Sequence, residues 1–233
     1  MQIIKSIFKS TAHFFYPHIC NGCGSDLLNE DELLCIKCID QLPHTQFASH
    51  ANNPIEKIFW GRIPLVNAFS EFYFSKESLI QALIHQLKYK NNVSIGLYLG
   101  KLMGKSIVNS NRFDKVDALV PLPLFPDKER KRGYNQSKII CDGISSETKI
   151  PVITNNLIRK RPTETQTKKH RTERWQNVEG SFTTIQPEEF KNKHILLIDD
   201  VITTGASLEA CGIELLKVEN TQLSIAALAT ASK

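Results

Sequence analysis

The sequence predicts an α/β fold, a parallel sheet with helices on both faces, preceded by a small N-terminal module organised by cysteine. Three observations carry that expectation. Apolar strand-like segments alternate with helical ones from Val116 onward. Ile195-Leu196-Leu197-Ile198 is an uninterrupted apolar run, as expected of a strand covered on both faces. Four of the six cysteines, Cys20, Cys23, Cys35 and Cys38, fall close together near the start of the chain. A length of 233 residues suits one substantial core with a smaller appended module. The hydrophobic fraction of 41% and charged fraction of 23% are those of an ordinary globular protein and argue against disorder. A net charge of +5 is too small to indicate a nucleic-acid partner by itself.

Taken in order, Ile3, Ile4, Ile7, Phe8, Phe14 and Phe15 follow helical spacing and predict a short amphipathic helix ending before Pro17. Lys5 and Lys9 interrupt the apolar stretch a secretory leader would need, and no run approaches the roughly 18 apolar residues of a membrane span. The expected compartment is the reducing cytoplasm. The domain expectation is a helix and cysteine module over 1–43, a connection over 44–64 with Pro54 and Pro64 as breakers, and a larger domain over 65–233.

Within that domain, alternation in Ala68–Phe74 predicts a strand, followed by helices over Lys76–Lys90 and Val93–Val108. Val116–Leu122 reads as a strand, Gln136–Ser145 as a helix, and a short strand starts at Val152. Arg159–Arg174 reads as a long basic loop. His194–Ile198 reads as a strand, Ser207–Leu216 as a helix and Leu223–Leu228 as a final strand. Cys141 and Cys211, alone in helical surroundings, are expected to be buried small hydrophobes.

Two segments carry chemistry. The apolar run to Ile198 meets two adjacent carboxylates, Asp199 and Asp200, then passes through Val201-Ile202 into Thr203-Thr204-Gly205-Ala206-Ser207 at the start of a helix. A glycine turn lets successive backbone N–H groups converge, and the helix adds its positive end, which together make a seat for a phosphate dianion. Thr203, Thr204 and Ser207 add hydroxyls. The acidic pair, at the carboxyl end of a strand, is placed to accept hydrogen bonds from ribose hydroxyls. A merely capped helix would explain one hydroxyl but not two acids at an apolar strand end.

The second segment is the pair of knuckles Cys20-Asn21-Gly22-Cys23 and Cys35-Ile36-Lys37-Cys38. Four thiolates in paired knuckles suit tetrahedral Zn²⁺, and a closed four-cysteine site points to structure rather than catalysis. An iron–sulfur site or a redox pair would not need two such knuckles so close together.

The segment Ile195–Ser207 resembles the phosphoribosyl-diphosphate signature of type I phosphoribosyltransferases. With the cysteine knuckles in front, the chain from about Phe15 onward resembles the competence protein F (ComF) family. Further blocks fit: Leu87-Lys88-Tyr89, Val120-Pro121-Leu122-Pro123-Leu124, Arg132-Gly133-Tyr134-Asn135-Gln136-Ser137, Arg161-Pro162-Thr163-Glu164-Thr165-Gln166, and Arg174 with Asn177-Val178. The family usually carries a longer or second knuckle set, and this chain supplies one.

The resemblance implies a type I phosphoribosyltransferase fold that binds 5-phosphoribosyl-1-diphosphate with Mg²⁺, and an association with natural transformation and DNA uptake. It implies ligand binding by Asp199, Asp200, Thr203, Thr204, Gly205, Ala206, Ser207, Lys88, Thr163 and Gln166. It implies leaving-group stabilisation by Arg132, Arg161 and Arg174, since such transfer rests on orientation and charge neutralisation. The loop Arg159–Arg174 resembles the mobile lid of these enzymes. Two readings stay open: a transferase whose acceptor is unidentified, and a non-catalytic ligand-sensing scaffold that contacts single-stranded DNA or DNA-uptake proteins. The basic stretches Lys128–Arg132 and Arg159–Arg174 would serve diphosphate in the first and DNA phosphates in the second. Tyr134, His170 and Trp175 interleave with these charges as stacking platforms do.

Overall fold

The computed structural model describes residues 18–26, 28–29, 31–160 and 180–231. The chain divides into two compact units, one up to Leu42 and one from Pro43 onward. The expected N-terminal helix lies outside the described residues.

In the first unit the second knuckle opens a helix, α1 (Ile36–Asp40), with Cys35 at its N-cap and Cys38 buried. Among the unit's described residues Cys20, Leu34, Cys35, Cys38 and Leu42 are buried.

The second unit is built on a four-stranded, wholly parallel sheet. Its strands are β1 (Ala68–Phe74), β2 (Ala118–Pro121), β5 (His194–Ile202) and β6 (Gln222–Ala231), in the order β1-β6-β5-β2. Val152, where a short strand was expected, makes one parallel bridge to Leu119 beyond the β2 edge. The expected fold class is borne out: helices cover both faces. The helices are α2 (Pro54–Phe59), α3 (Leu79–Tyr89), α4 (Val93–Ser110), α5 (Pro126–Arg132), α6 (Gln136–Thr148) and α7 (Ala206–Leu216).

The two faces follow from strand alternation. Ala118, Val120, Ile195, Leu197, Leu223, Ile225 and Ala227 point to one side, where they pack with Ile55 and Phe59 of α2 and Leu208, Cys211 and Leu215 of α7. A small antiparallel hairpin, β3 (Leu157–Arg159) with β4 (Phe182–Thr184), adds Leu157 and Phe182 to this cluster. On the other face α3 lies against β1 and α6 against β2 and β5. Cys141 and Cys211 are both fully buried, and burial pushes both thiols well above the ordinary range, as expected of small hydrophobes.

Helices α4 and α6 approach until their backbones touch. A Cβ on Gly100 would stand 2.4 Å from the Ile140 carbonyl oxygen, and one on Gly143 would stand 2.4 Å from that of Leu97. Only glycine permits this contact, which lets α6 present its first residues to the sheet's carboxyl edge.

Besides the β3–β4 hairpin, which takes Arg159 out of the expected basic loop, three elements depart from the sequence reading. β5 does not stop at Ile198 but runs to Ile202, because β6 continues alongside it and pairs Val201 with Ala229 and Ile202 with Thr230. The connection over 44–64 contains α2, started by Pro54 and capped by Asn53, whose side-chain oxygen accepts from Ile55 N and Glu56 N. Arg112 locks that connection down, donating to the His50 carbonyl at 2.8 Å and to Glu56 Oε1 at 2.5 Å. Finally, the basic stretch Lys128–Arg132, for which no helix was expected, lies on a short helix, α5. Pro126 opens it, Asp127 and Glu129 sit in its first turn, and Gly133 in the left-handed region closes it.

Candidate functional site

Parallel sheets present their ligand-binding crevice outside the carboxyl ends of the strands, where successive connections leave in opposite directions. Here that point lies between β2, whose chain leads outward to the Val152 edge, and β5, whose chain leads to β6. Asp199 and Asp200 occupy the last turns of pleat in β5.

The two carboxylates find different partners. Asp200, buried, faces α3, where Lys88 in the last turn places Nζ 2.7 Å from Asp200 Oδ2. The contact is an ion pair rather than a directed hydrogen bond. Asp199 Oδ1 accepts from its neighbour's backbone, Asp200 N, at 2.8 Å, and from the Ser137 hydroxyl at the start of α6 at 3.4 Å. Burial, then the adjacent Asp200 charge, pushes the Asp199 carboxyl up to about 7, while the Asp200 amide, Lys88 and Ser137 pull it down. The pair therefore holds one carboxylate against a lysine and one poised to ionise near neutrality.

Beyond the strand, Gly205 takes a left-handed conformation, φ 75°, and serves as the N-cap of α7. It offers no side chain to the helix's first amides, in contrast to Asn53, Ser78, Asn92 and Asn135 at the starts of α2, α3, α4 and α6. Ala206 N reaches only Thr204 Oγ1, at 3.5 Å. Thr203 is exposed, and Thr204, Ala206 and Ser207 are half-buried, so the turn opens to solvent with amides and hydroxyls together.

The structure thus joins Lys88, Asp199 and Asp200, and sets Thr203–Ser207 on the turn that follows. Arg132 is not joined to the acids: its guanidinium donates to Gln136 Oε1 and lies 5.7 Å from the centre of the Tyr89 ring. Arg161, Thr163, Gln166 and Arg174 lie outside the described residues, as do His170 and Trp175. Tyr134, read as a stacking platform, instead donates its hydroxyl to the Leu87 carbonyl and so ties the turn after α5 to the end of α3. Ser137 was missed as a site residue, although it closes the Arg132–Ser137 block. The signal available was its position beside the Asn135 cap of a helix aimed at the strand ends.

At the cysteine module, the Sγ atoms of Cys20, Cys23, Cys35 and Cys38 all lie within 4.8 Å of one another. Cys23 and Cys35 sulfurs are 3.6 Å apart, too far for a disulfide and close to the ~3.8 Å edge of a tetrahedron with Zn–S bonds of about 2.3 Å. Gly22 N and Cys35 N point at Cys20 Sγ, at 3.4 and 3.2 Å. Burial raises the Cys20 thiol, but these amides and the Cys38 thiol outweigh it and bring it down to about 6. Burial and the neighbouring thiols push Cys38 up to about 12. Four sulfurs competing for shared protons, already served by N–H donors, are the donor set a tetrahedral thiophilic cation requires.

No protein-family model matches the chain. Among curated proteins it is 25% identical over 228 residues to "Competence protein F" of Haemophilus influenzae, covering 96% of this chain and 95% of the relative. It is 27% identical to "DNA utilization protein YhgH" of Escherichia coli, covering 82% and 80%. It is 37% identical over 95 residues to "Competence protein ComFC" of Bacillus subtilis, covering 41% and 36%. Among solved structures, a glutamine phosphoribosylpyrophosphate amidotransferase from B. subtilis matches with TM-score 0.42 and 17% identity, over 63% of this chain and 30% of that one. A Neisseria gonorrhoeae hypothetical protein with bound ppGpp matches with TM-score 0.38 and 18% identity, over 60% and 69%. The chain is homologous to competence protein F and YhgH over most of its length and to ComFC over 95 residues, and its four-cysteine cluster suits a zinc module.

Proposed function

We propose that the chain is a phosphoribosyltransferase-like protein serving DNA uptake in natural transformation, and that it binds 5-phosphoribosyl-1-diphosphate with Mg²⁺. The observation that carries this reading is the end of β5: a lysine-held carboxylate beside a second one, followed by a turn whose amides lack a side-chain cap. In this reading Asp199 and Asp200 accept from the ribose hydroxyls. Thr203, Thr204, Gly205, Ala206 and Ser207 take the 5-phosphate, and Lys88 keeps Asp200 in place. Mg²⁺, entering with the ligand, neutralises charge on the diphosphate. Arg132, Arg161 and Arg174 are assigned to the leaving group, with Thr163 and Gln166 completing the ligand contacts. The four cysteines hold one structural Zn²⁺, and the protein works in the cytoplasm.

The test is thermal unfolding with and without ligand. A ligand that binds only the folded protein raises the melting temperature by mass action. 5-Phosphoribosyl-1-diphosphate with Mg²⁺ is expected to raise it more than ribose-5-phosphate does, and no rise with either would reject the reading.

A second reading, a non-catalytic scaffold that senses the ligand and contacts single-stranded DNA, is favoured by α5. None of its residues is buried, and it carries Lys128, Arg130, Lys131 and Arg132 on a helix of seven residues. Turnover of the diphosphate across a panel of nucleobases separates the two: product formation with any base selects the transferase.

A further inference from the structure

The phosphate seat is braced by more than the strand and helix that form it. Behind it stands the segment after α2, which the sequence gives no reason to connect with a site more than a hundred residues downstream. The Arg62 guanidinium reaches across that separation. Its Nη1 donates to the Ile58 carbonyl at 3.0 Å and to the Thr204 carbonyl at 3.1 Å. Its Nη2 makes an ion pair with Glu209, whose side chain is 2% exposed. Directly beside it, Phe59 and Ile58 fill the space under Gly205. A Cβ there would stand 2.9 Å from the Phe59 ring and 3.1 Å from Ile58.

Glu209 makes this arrangement electrostatically informative. It lies in the first turn of α7, one helical turn from the amides of the seat, and Glu209 N itself donates to the Gly205 carbonyl at 2.9 Å. A buried carboxylate at that position would repel an incoming phosphate and cancel the positive end of the helix. A buried anion must also be paired. Arg62 meets both needs with one fork, because a guanidinium can serve a carboxylate and two carbonyls in fixed geometry where an ammonium cannot.

We propose that Arg62 is a positioning residue for an anionic ligand at Thr203–Ser207. It fixes the turn through the Thr204 carbonyl, and it neutralises Glu209 so that the helix meets the anion with its positive end intact. The proposal rests on reading that turn as a phosphate seat. Arg62 itself touches no ligand.

The experiment is calorimetric titration of the full chain with 5-phosphoribosyl-1-diphosphate and Mg²⁺, well below the melting temperature, for wild type, Arg62→Met, Glu209→Gln and the double variant. Arg62→Met is expected to weaken binding about tenfold or more, since it both frees the turn and exposes the seat to an unpaired carboxylate. Glu209→Gln alone should change affinity little. The double variant should bind better than Arg62→Met, because removing the carboxylate removes the repulsion. A purely structural pair would lower the melting temperature without this pattern. Wild-type affinity in folded Arg62→Met, or a double variant no better than Arg62→Met, overturns the proposal. If Arg62→Met does not fold, Arg62→Lys keeps the charge and loses the fork. About threefold weaker binding is then expected, and unchanged binding overturns the idea. If wild type binds nothing, the phosphate-seat reading fails by itself, and amide hydrogen exchange still judges the clamp. Faster exchange at Thr204–Glu209 in Arg62→Met, with β5 unchanged, supports it; equal exchange at both overturns it.

Discussion

The cysteine module and the strand-end site solve the same problem, holding charged groups in fixed geometry, by opposite means. Among the module's described residues a five-residue helix carries the second knuckle, and four sulfurs that share hydrogen bonds lie together. The site sits on a strand whose neighbours on both faces are fully buried, and its carboxylates are held there by a core that exists for other reasons. The difference teaches where each is vulnerable. Order in the first is expected to depend on a cation held by the four sulfurs. Order in the second depends on packing, and the buried charges are the cost the fold bears for having a site.

The largest effect is therefore expected at the module. Structural zinc contributes on the order of 10 kcal/mol to small thiolate sites, so Cys20→Ser or Cys38→Ser should lose the metal and melt the module. Metal analysis of protein purified without added metal should find one zinc per chain in wild type. Iron with a sulfide band, or folded metal-free protein, contradicts this.

At the site, Lys88→Met should come next. It strands the buried Asp200 carboxylate, and removing one partner of a buried pair costs about 3 kcal/mol. Urea denaturation at neutral pH measures the loss. Lys88→Met together with Asp200→Asn should recover most of it; no recovery would show that the lysine stabilises through its stem.

Gly100→Ala should cost about 2 kcal/mol, because its methyl would meet the Ile140 carbonyl and push α4 from α6. An unchanged denaturation midpoint would show that the two helices slide apart freely.

The effect that depends on pH concerns Asp199. Its folded carboxyl titrates near 7 against an ordinary value of 3.8, so the folded state holds the extra proton between those values. The stability this contributes is complete below about 4 and is lost as pH rises through 7. Asp199→Asn should accordingly raise the melting temperature at pH 8 and do little at pH 4. Equal shifts at both would deny the raised titration.

Much of this contrast could be read in the sequence, for reasons that differ by region. The strand Ala68–Phe74 and the starts of α4 and α6 are where alternation, period and the caps Asn92 and Asn135 agree. The acidic pair and the glycine turn were legible as a candidate site because two carboxylates are costly at an apolar strand end. α2 was lost because six residues give less than two turns of periodicity, although Asn53-Pro54 is a helix start. α5 hid behind its charge, although acids first, bases last and a closing glycine mark a helix. The spacing Gly96, Gly100, Gly104 announced a close helix contact and was passed over. The β3–β4 pairing could not be read at all: three-residue strands have no pattern of their own and are defined by a partner far along the chain. Neither could the Arg62–Glu209 pair, since no local signal joins residues 147 apart.

The central claim is that the carboxylates at the end of β5 face a ribose. Thermal unfolding of wild type and Asp199→Ala/Asp200→Ala, with 5-phosphoribosyl-1-diphosphate and Mg²⁺, tests it most directly. The account predicts a ligand-dependent rise in melting temperature for wild type and none for the double variant. An equal rise in both would show that the acids stand outside the ligand site.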